Sequence, residues 1–174
     1  MKYILIISLF AVLASCHSNI DSDSELTQED TTVSHPKQEI ARVLDSMHQA
    51  FKIHDYAAME SYLTEEGLFL GTDPNEIWSK KQLTDYFNGH VKDTIPLSYS
   101  INNRIILLGR RSKAALVIEQ YYLNRMSEKI MVRSISRLVY EAGGWKINFY
   151  SWNMIPKNED IQKLNNALIN NPGQ

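Results

Sequence analysis

A single cysteine, Cys16, stands among 174 residues, so no disulfide can form within the chain. Five histidines (His17, His35, His48, His54 and His90) fall at no metal-ligand spacing, and no zinc-type, phosphate-loop or glycine-rich dinucleotide pattern occurs. No metal and no cofactor is therefore expected. No serine sits in a nucleophile-elbow setting. There is one long apolar run, residues 3–12, well short of the ~20 residues that span a bilayer. An excess of one charge is missing too. With Lys2 and the five acids of residues 17–36 set aside, 17 bases and 15 acids remain, so the body carries about +2. Nucleic acid favours a clustered basic face, and none is present. The basic run Arg110-Arg111-Ser112-Lys113 reads as a solvated turn between two strands.

What is there begins with a leader. Lys2 supplies a positive start, residues 3–12 an apolar middle, and Leu13-Ala14-Ser15-Cys16 resembles the bacterial lipobox. The resemblance implies a signal peptide over 1–15, cleavage before Cys16, and diacylglycerol on its sulfur. The other reading is an ordinary secretory signal with a chance cysteine. Buried lipid adds ~0.8 kcal/mol per methylene, so a lipidated Cys16 would hold the protein to a membrane. Residues 16–36 carry five acids, no Lys or Arg, and only Ile20, Leu26 and Val33 as aliphatics. Such a stretch cannot bury enough surface to fold and reads as a disordered acidic tether. An acidic tract after a lipidated cysteine resembles surface-export signals of Bacteroidetes lipoproteins. That implies the cell envelope, with the outer membrane or cell surface favoured and the leaflet open.

Residues 37–174 have the size of one domain. Ile40, Val43, Leu44, Met47 and Phe51 recur at steps of three and four, which predicts a helix over 37–53 with Pro36 in its first turn. Asp55 can cap a second helix over 56–63 and Ser79 a third over 80–90. A short apolar strand, 68–70, and a Gly-Thr-Asp-Pro turn lie between them. Four strand patterns follow at 97–108, 114–124, 130–141 and 145–154, joined by short turns that make them antiparallel neighbours. A last helix is predicted over 158–169, with Ile161, Leu164 and Leu168 on one side. The whole describes an α+β domain with helices on one sheet face.

With Ala142-Gly143 as the last turn, Tyr140 pairs Trp145, Leu138 pairs Ile147, Ser136 pairs Phe149 and Ser134 pairs Ser151. The inward set is then Trp145, Ile147, Phe149, Ser151 and Asn153, opposite Val132, Ser134, Ser136 and Leu138. Apolar residues gather near the turn and small polar ones at the far end, as in a cone packed at its tip and open at its mouth. The outer face would show Ile135, Val139, Tyr150 and Trp152, with Arg133 and Arg137 between them. A one-residue slip would invert every assignment.

Gly71-Thr72-Asp73-Pro74, Glu76 and Trp78, the helix after them, and a meander ending Gly143-Gly144-Trp145-Lys146-Ile147 together resemble the SnoaL-like branch of the nuclear transport factor 2-like superfamily, over about residues 38–155. The resemblance implies a cystatin-like half-barrel: a cone-shaped curved antiparallel sheet with N-terminal helices packed on its concave face. Members include isomerases, dehydratases, polyketide cyclases and binding or assembly modules without catalysis, so the fold does not name a function. Related domains often end the last strand with two histidines and a serine. Here those places read Phe149, Ser151 and Asn153, so both imidazoles are absent. The family commonly pairs sheet to sheet, which implies a homodimer through the outer face unless the last helix folds back over it.

The expected function is a membrane-anchored domain that binds a small, largely apolar ligand in a conical pocket or serves as an interaction module. The alternative is an isomerase, cyclase or dehydratase with Asp73 as general base, which would need its pKa raised by burial. Against this, Asp-Pro is a common turn whose carboxylate accepts backbone N–H groups. Expected ligand contacts are Asp73, Trp78, Gln120, Tyr122, Ser134, Ser136, Phe149 and Ser151. Trp78 reads either as a stacking wall or as core. Tyr121 and Tyr122 point to opposite faces, so one of them reaches the cavity. His48, beside Met47 and Phe51, can face the cavity or simply be hydrogen-bonded.

Overall fold

The computed structural model describes residues 35–90 and 97–170. The leader, Cys16 and the tether up to residue 34 lie outside the described residues. Helix α1 (Pro36–Lys52) opens on proline, whose missing N–H matters least in a first turn, and buries Ile40, Leu44, Met47, His48 and Ala50. Asp55 caps α2 (Tyr56–Ser61) by accepting the Ala58 N–H at 2.9 Å. Strand β1 (Leu63–Leu70) and the short β2 (Ile77–Trp78) lead to α3 (Lys80–His90). There Ser79 and Gln82 cap reciprocally: the Gln82 N–H donates to Ser79 Oγ, and the Ser79 N–H to Gln82 Oε1. Strands β3 (Ile101–Leu108), β4 (Ala114–Leu123), β5 (Ser127–Glu141) and β6 (Gly144–Ile155) form the meander, and α4 (Ile161–Asn170) ends the described chain. Among the described residues, no helix is long and apolar enough to cross a membrane.

The six strands make one curved, unclosed sheet in the order β2-β1-β6-β5-β4-β3. One pairing departs from the antiparallel pattern, because β1 runs parallel to β6. The main core lies between α1, α2, α3 and the concave face, around Ile40, Leu44, Phe69, Leu83, Leu138 and Ile147, all at most 1% exposed. Helix α4 buries nothing. It does not fold back over the sheet's outer apolar residues, of which Ile105, Leu107 and Leu116 remain exposed.

The last hairpin turns at Ala142 and Gly143, both at positive φ, as a two-residue turn between twisted strands requires. From there the pairs Tyr140–Trp145 and Leu138–Ile147 follow the expected register. Beyond them it breaks. Arg137 pairs Phe149, so Asn148 is an extra residue in β6, and a bulge there reverses the facing of everything that follows. Ser136 pairs Tyr150 and Ser134 pairs Trp152. Tyr150 and Trp152, expected outside, therefore face the core. Phe149 and Ser151, expected inside, join Arg137 and Ile135 on the outer face.

Candidate functional site

On β4 the residues Ala115, Val117, Glu119 and Tyr121 face inward and are buried, Val117 and Glu119 almost completely. A carboxylate only 1% exposed on an apolar face must be paired, or the charge would be prohibitively costly to bury. Glu119 is paired on both oxygens. Its Oε1 accepts from Arg104 Nε at 2.6 Å, and Arg104 Nη2 goes on to Asp45 Oδ1 at 2.6 Å. Its Oε2 lies 2.8 Å from His48 Nε2 and accepts from Ser134 Oγ at 3.3 Å. His48 Nδ1 in turn lies 2.7 Å from the Tyr99 hydroxyl. Burial pushes the Glu119 carboxyl up, but the bonds and charges of His48 and Arg104 outweigh it and hold the carboxyl below its usual range. An ionised Glu119 needs the His48 Nε2 proton, which leaves Nδ1 to accept from Tyr99 when the ring is neutral. A continuous chain thus runs Asp45–Arg104–Glu119–His48–Tyr99 from the surface inward.

The chain ends at a cavity. Its inner part, about 20 Å³, is lined by His48, Tyr99, Tyr121, Tyr150 and Trp152 together with apolar side chains of α1, α2, α3 and β1. Burial raises the Tyr99 and Tyr150 phenols, and the neighbouring Glu119 charge adds to the rise. Tyr121 is pushed up to about 12 by burial, offset in part by the polar ends of Tyr150, Ser134 and Trp152 beside it. The outer part, about 300 Å³, is an open mouth between Trp78, Tyr86, Phe87, Leu97 and Arg125. Phe51, Leu123 and Trp152 line both parts. A volume of about 300 Å³ is the lower end of what small-molecule pockets occupy.

Of the residues expected at the site, Trp78 lines the mouth, stacked at a tilt on Tyr86 with ring centres 4.9 Å apart. It also packs against the core, as the second reading of it expects. Ser134 and Ser136 are buried on the inward face, Ser134 as a donor to Glu119. Gln120 and Tyr122 lie on the outer face. Oriented with its oxygen toward the guanidinium, the Gln120 amide accepts from Arg133 at 2.8 and 3.0 Å, and Tyr122 is 39% exposed. Tyr121 is the member of that pair that reaches the cavity. Phe149 and Ser151 face outward because of the bulge.

Asp73 is exposed, and its Oδ1 accepts the Asn75 N–H at 2.8 Å. This is the turn, and it supplies neither the burial nor the cavity contact a general base needs. The carboxylate that shapes this end of the pocket is Glu76, whose Oε2 accepts the N–H groups of Thr72 and Asp73 at 2.8 and 3.0 Å. Gly71 closes the loop. A Cβ there would stand 2.0 Å from Glu76 Oε2. Glu119, Arg104 and Tyr99 are site residues that the strand patterns do not single out, and Tyr150 is one that they place on the wrong face. Among the described residues, no three His, Cys, Asp or Glu side chains gather to hold a metal.

A family model described as a SnoaL-like domain matches residues 40–154. The chain belongs to the SnoaL-like domain family. Among solved structures this SnoaL-like chain is similar to a nuclear transport factor 2-like protein from Cytophaga hutchinsonii, at 16% identity and a TM-score of 0.59, over 70% of this chain and all of the other. It is similar also to a putative calcium/calmodulin dependent protein kinase II association domain from Xanthomonas campestris, at 20% identity and a TM-score of 0.60, over 72% and 92% of the two chains. A cystatin-like fold protein from Burkholderia xenovorans matches at 16% identity and 0.58, over 70% and 93%. At these identities the likeness establishes the fold alone. No curated protein matches the chain.

Proposed function

We propose that this SnoaL-like protein is a lipid-anchored binding protein of the bacterial envelope whose conical pocket takes a small, largely apolar molecule. The observation that carries the reading is the mouth: about 300 Å³ walled by Trp78, Tyr86, Phe87 and Trp152, adjoining at Phe51, Leu123 and Trp152 an inner cavity that ends on polar groups. Aromatic walls with a few converging polar groups are what orient a small ligand. The anchor rests on Leu13-Ala14-Ser15-Cys16 and the acidic tract behind it. Its surface placement, at the outer membrane or cell surface, rests on that tract alone.

A second copy of the chain is the partner this reading adds. Register across five strands aligns Leu107, Leu116, Arg137, Phe149 and Leu68 in one row of the outer face, and Ile105, Ile118, Ile135, Ser151 and Leu70 in the next. A mostly apolar band holding an arginine is the composition of an interface core.

The test is native mass spectrometry of the lipidated full chain, released from its membrane in mild detergent without refolding. A dimer that retains a small molecule is the expected result, and Cys16→Ser should move the protein out of the membrane fraction. A clean monomer whose melting temperature responds to no apolar probe would sink both the pocket and the dimer. A second reading, catalysis by proton transfer, is favoured by one observation only, the Glu119–His48–Tyr99 chain ending in the cavity. In it Tyr99 would meet substrate and His48 would take its proton, with Asp73 playing no part. Turnover lost in Tyr99→Phe while binding persists would select it.

A further inference from the structure

Tyr150 is 2% exposed, lines the inner cavity, and its hydroxyl has no hydrogen-bond partner. No neighbouring acceptor meets it at hydrogen-bonding geometry. The Ser134 hydroxyl donates to Glu119, and the Tyr99 hydroxyl is held by His48. Ser134 and Tyr121 both lie beside it, but neither meets it at bonding geometry. A buried hydroxyl left unsatisfied costs about 1–3 kcal/mol, so a phenylalanine would suit this position better unless something arrives to accept the proton. The space is right for one small group. The inner cavity, about 20 Å³, admits one water-sized atom and no more.

We propose that the inner cavity is a subsite for one neutral oxygen, a ketone or hydroxyl, at the tip of the apolar molecule seated in the mouth, with Tyr150 as its anchor. This rests on the pocket reading above and narrows it to flat, mostly apolar molecules with a single oxygen at one end. The oxygen is neutral because Glu119 already places a negative charge nearby. Burial is the main cause that raises the phenols of Tyr99, Tyr121 and Tyr150, with Glu119 adding to it, and an unpaired second anion in the same space would meet the same penalty. A carboxylate tip is expected to bind weakest for the same reason. Without a ligand, a single water completes the Tyr150 hydroxyl, and the ligand's oxygen takes its place.

Three probes of one shape separate the possibilities: 2-methylnaphthalene, 2-naphthol and 2-naphthoate. They are titrated by ligand-observed NMR against the full chain carrying Cys16→Ser, so that no acyl chain competes for them. We expect 2-naphthol to bind about fivefold tighter than 2-methylnaphthalene, the worth of one neutral hydrogen bond, and 2-naphthoate to bind weakest. Tyr150→Phe, which removes only an unpartnered oxygen and should fold normally, is expected to erase the preference for 2-naphthol and leave 2-methylnaphthalene unchanged. If 2-methylnaphthalene binds and the preference is absent, or survives Tyr150→Phe, the subsite is overturned while the pocket stands. If none of the three binds, the pocket reading falls and the subsite with it. A crystal structure of the 2-naphthol complex should place its oxygen about 3 Å from Tyr150 Oη, and an oxygen turned toward the mouth overturns the proposal.

Discussion

In the 71–76 loop, Glu76 and Asp73 direct their oxygens to backbone N–H groups at the surface, whereas Glu119, 1% exposed, meets only side chains. The loop carboxylates shape the chain that carries them. They replace groups a short turn cannot supply from its own backbone, and water can stand in for much of what they do. Glu119 shapes nothing local, since β4 would form as well with an aliphatic there. What it does is tie together three distant segments: α1 through His48 and, by way of Arg104, Asp45; β3 through Arg104; and β5 through Ser134. The difference teaches where to look for chemistry. A carboxylate used by its own turn is structural. One desolvated and held ionised by two bases beside a cavity has been placed at a cost that the local fold does not require.

The comparison breaks most sharply at Glu119. Glu119→Ala removes one partner of a buried ion network and strands His48 and Arg104, which should destabilise the fold by about 3 kcal/mol or more in urea denaturation. Arg104→Met with Glu119→Leu removes both charges together and should recover much of that loss, because well-packed apolar residues replace buried pairs at little cost. Recovery in the double variant would show that the network is not there for stability. The same network sets an acid limit. The Glu119 carboxyl lies below its unfolded value near 4.5, so its stabilisation is present above that value and lost as pH falls through the folded one. Equilibrium unfolding followed from pH 6 downward should show a limb starting near pH 4.5 that Glu119→Gln lacks. The tyrosines give the opposite limb. Their phenols are raised, so folding holds their protons more tightly and stability falls as pH rises past 10, where the unfolded chain ionises.

Glu76→Ala comes next. It frees two N–H groups that a charged acceptor now satisfies, at a cost of about 2 kcal/mol. Because Gly71, Thr72 and Glu76 also wall the mouth, any probe binding there should weaken as well. Calorimetry and a probe titration on the same sample would separate the two losses. Equal loss from Gly71→Ala, whose added Cβ collides with the Glu76 carboxylate, would show that the loop acts as one unit.

Much of this was legible because the signals are local. Pro36, Asp55 and Ser79 mark helix starts by chemistry that acts within four residues, and Ala142-Gly143 marks the hairpin turn. The family fold followed from the order of those elements. The site was less legible, and the reason is one residue. Asn148 inserts into β6 between two apolar positions, Ile147 and Phe149, so the alternation continues across the bulge without a visible break. The hint lay farther on, in bulky Tyr150 and Trp152 alternating with small Ser151, which suits a face turned inward after a slip. Glu119 was also visible in part, as a lone acid in step with Val117 and Tyr121. Its partners sit 15 and 71 residues away in sequence, and no local pattern joins them.

The smallest effect expected is at Asp73, and it bears on the comparison most directly. Asp73→Asn keeps an oxygen that can accept the Asn75 N–H and removes only an exposed charge. Surface changes of this kind shift stability by about 0.5 kcal/mol or less. Probe binding should also be unchanged, because Asp73 is not among the residues that line the mouth. Asn at this place even favours the same turn. Thermal unfolding and the naphthalene-series titration on Asp73→Asn should therefore overlay the parent protein. A loss of binding beyond threefold without loss of stability would mean that the loop swings Asp73 over the ligand. The division between a turn-forming carboxylate and a cavity-forming one would then fail at the turn.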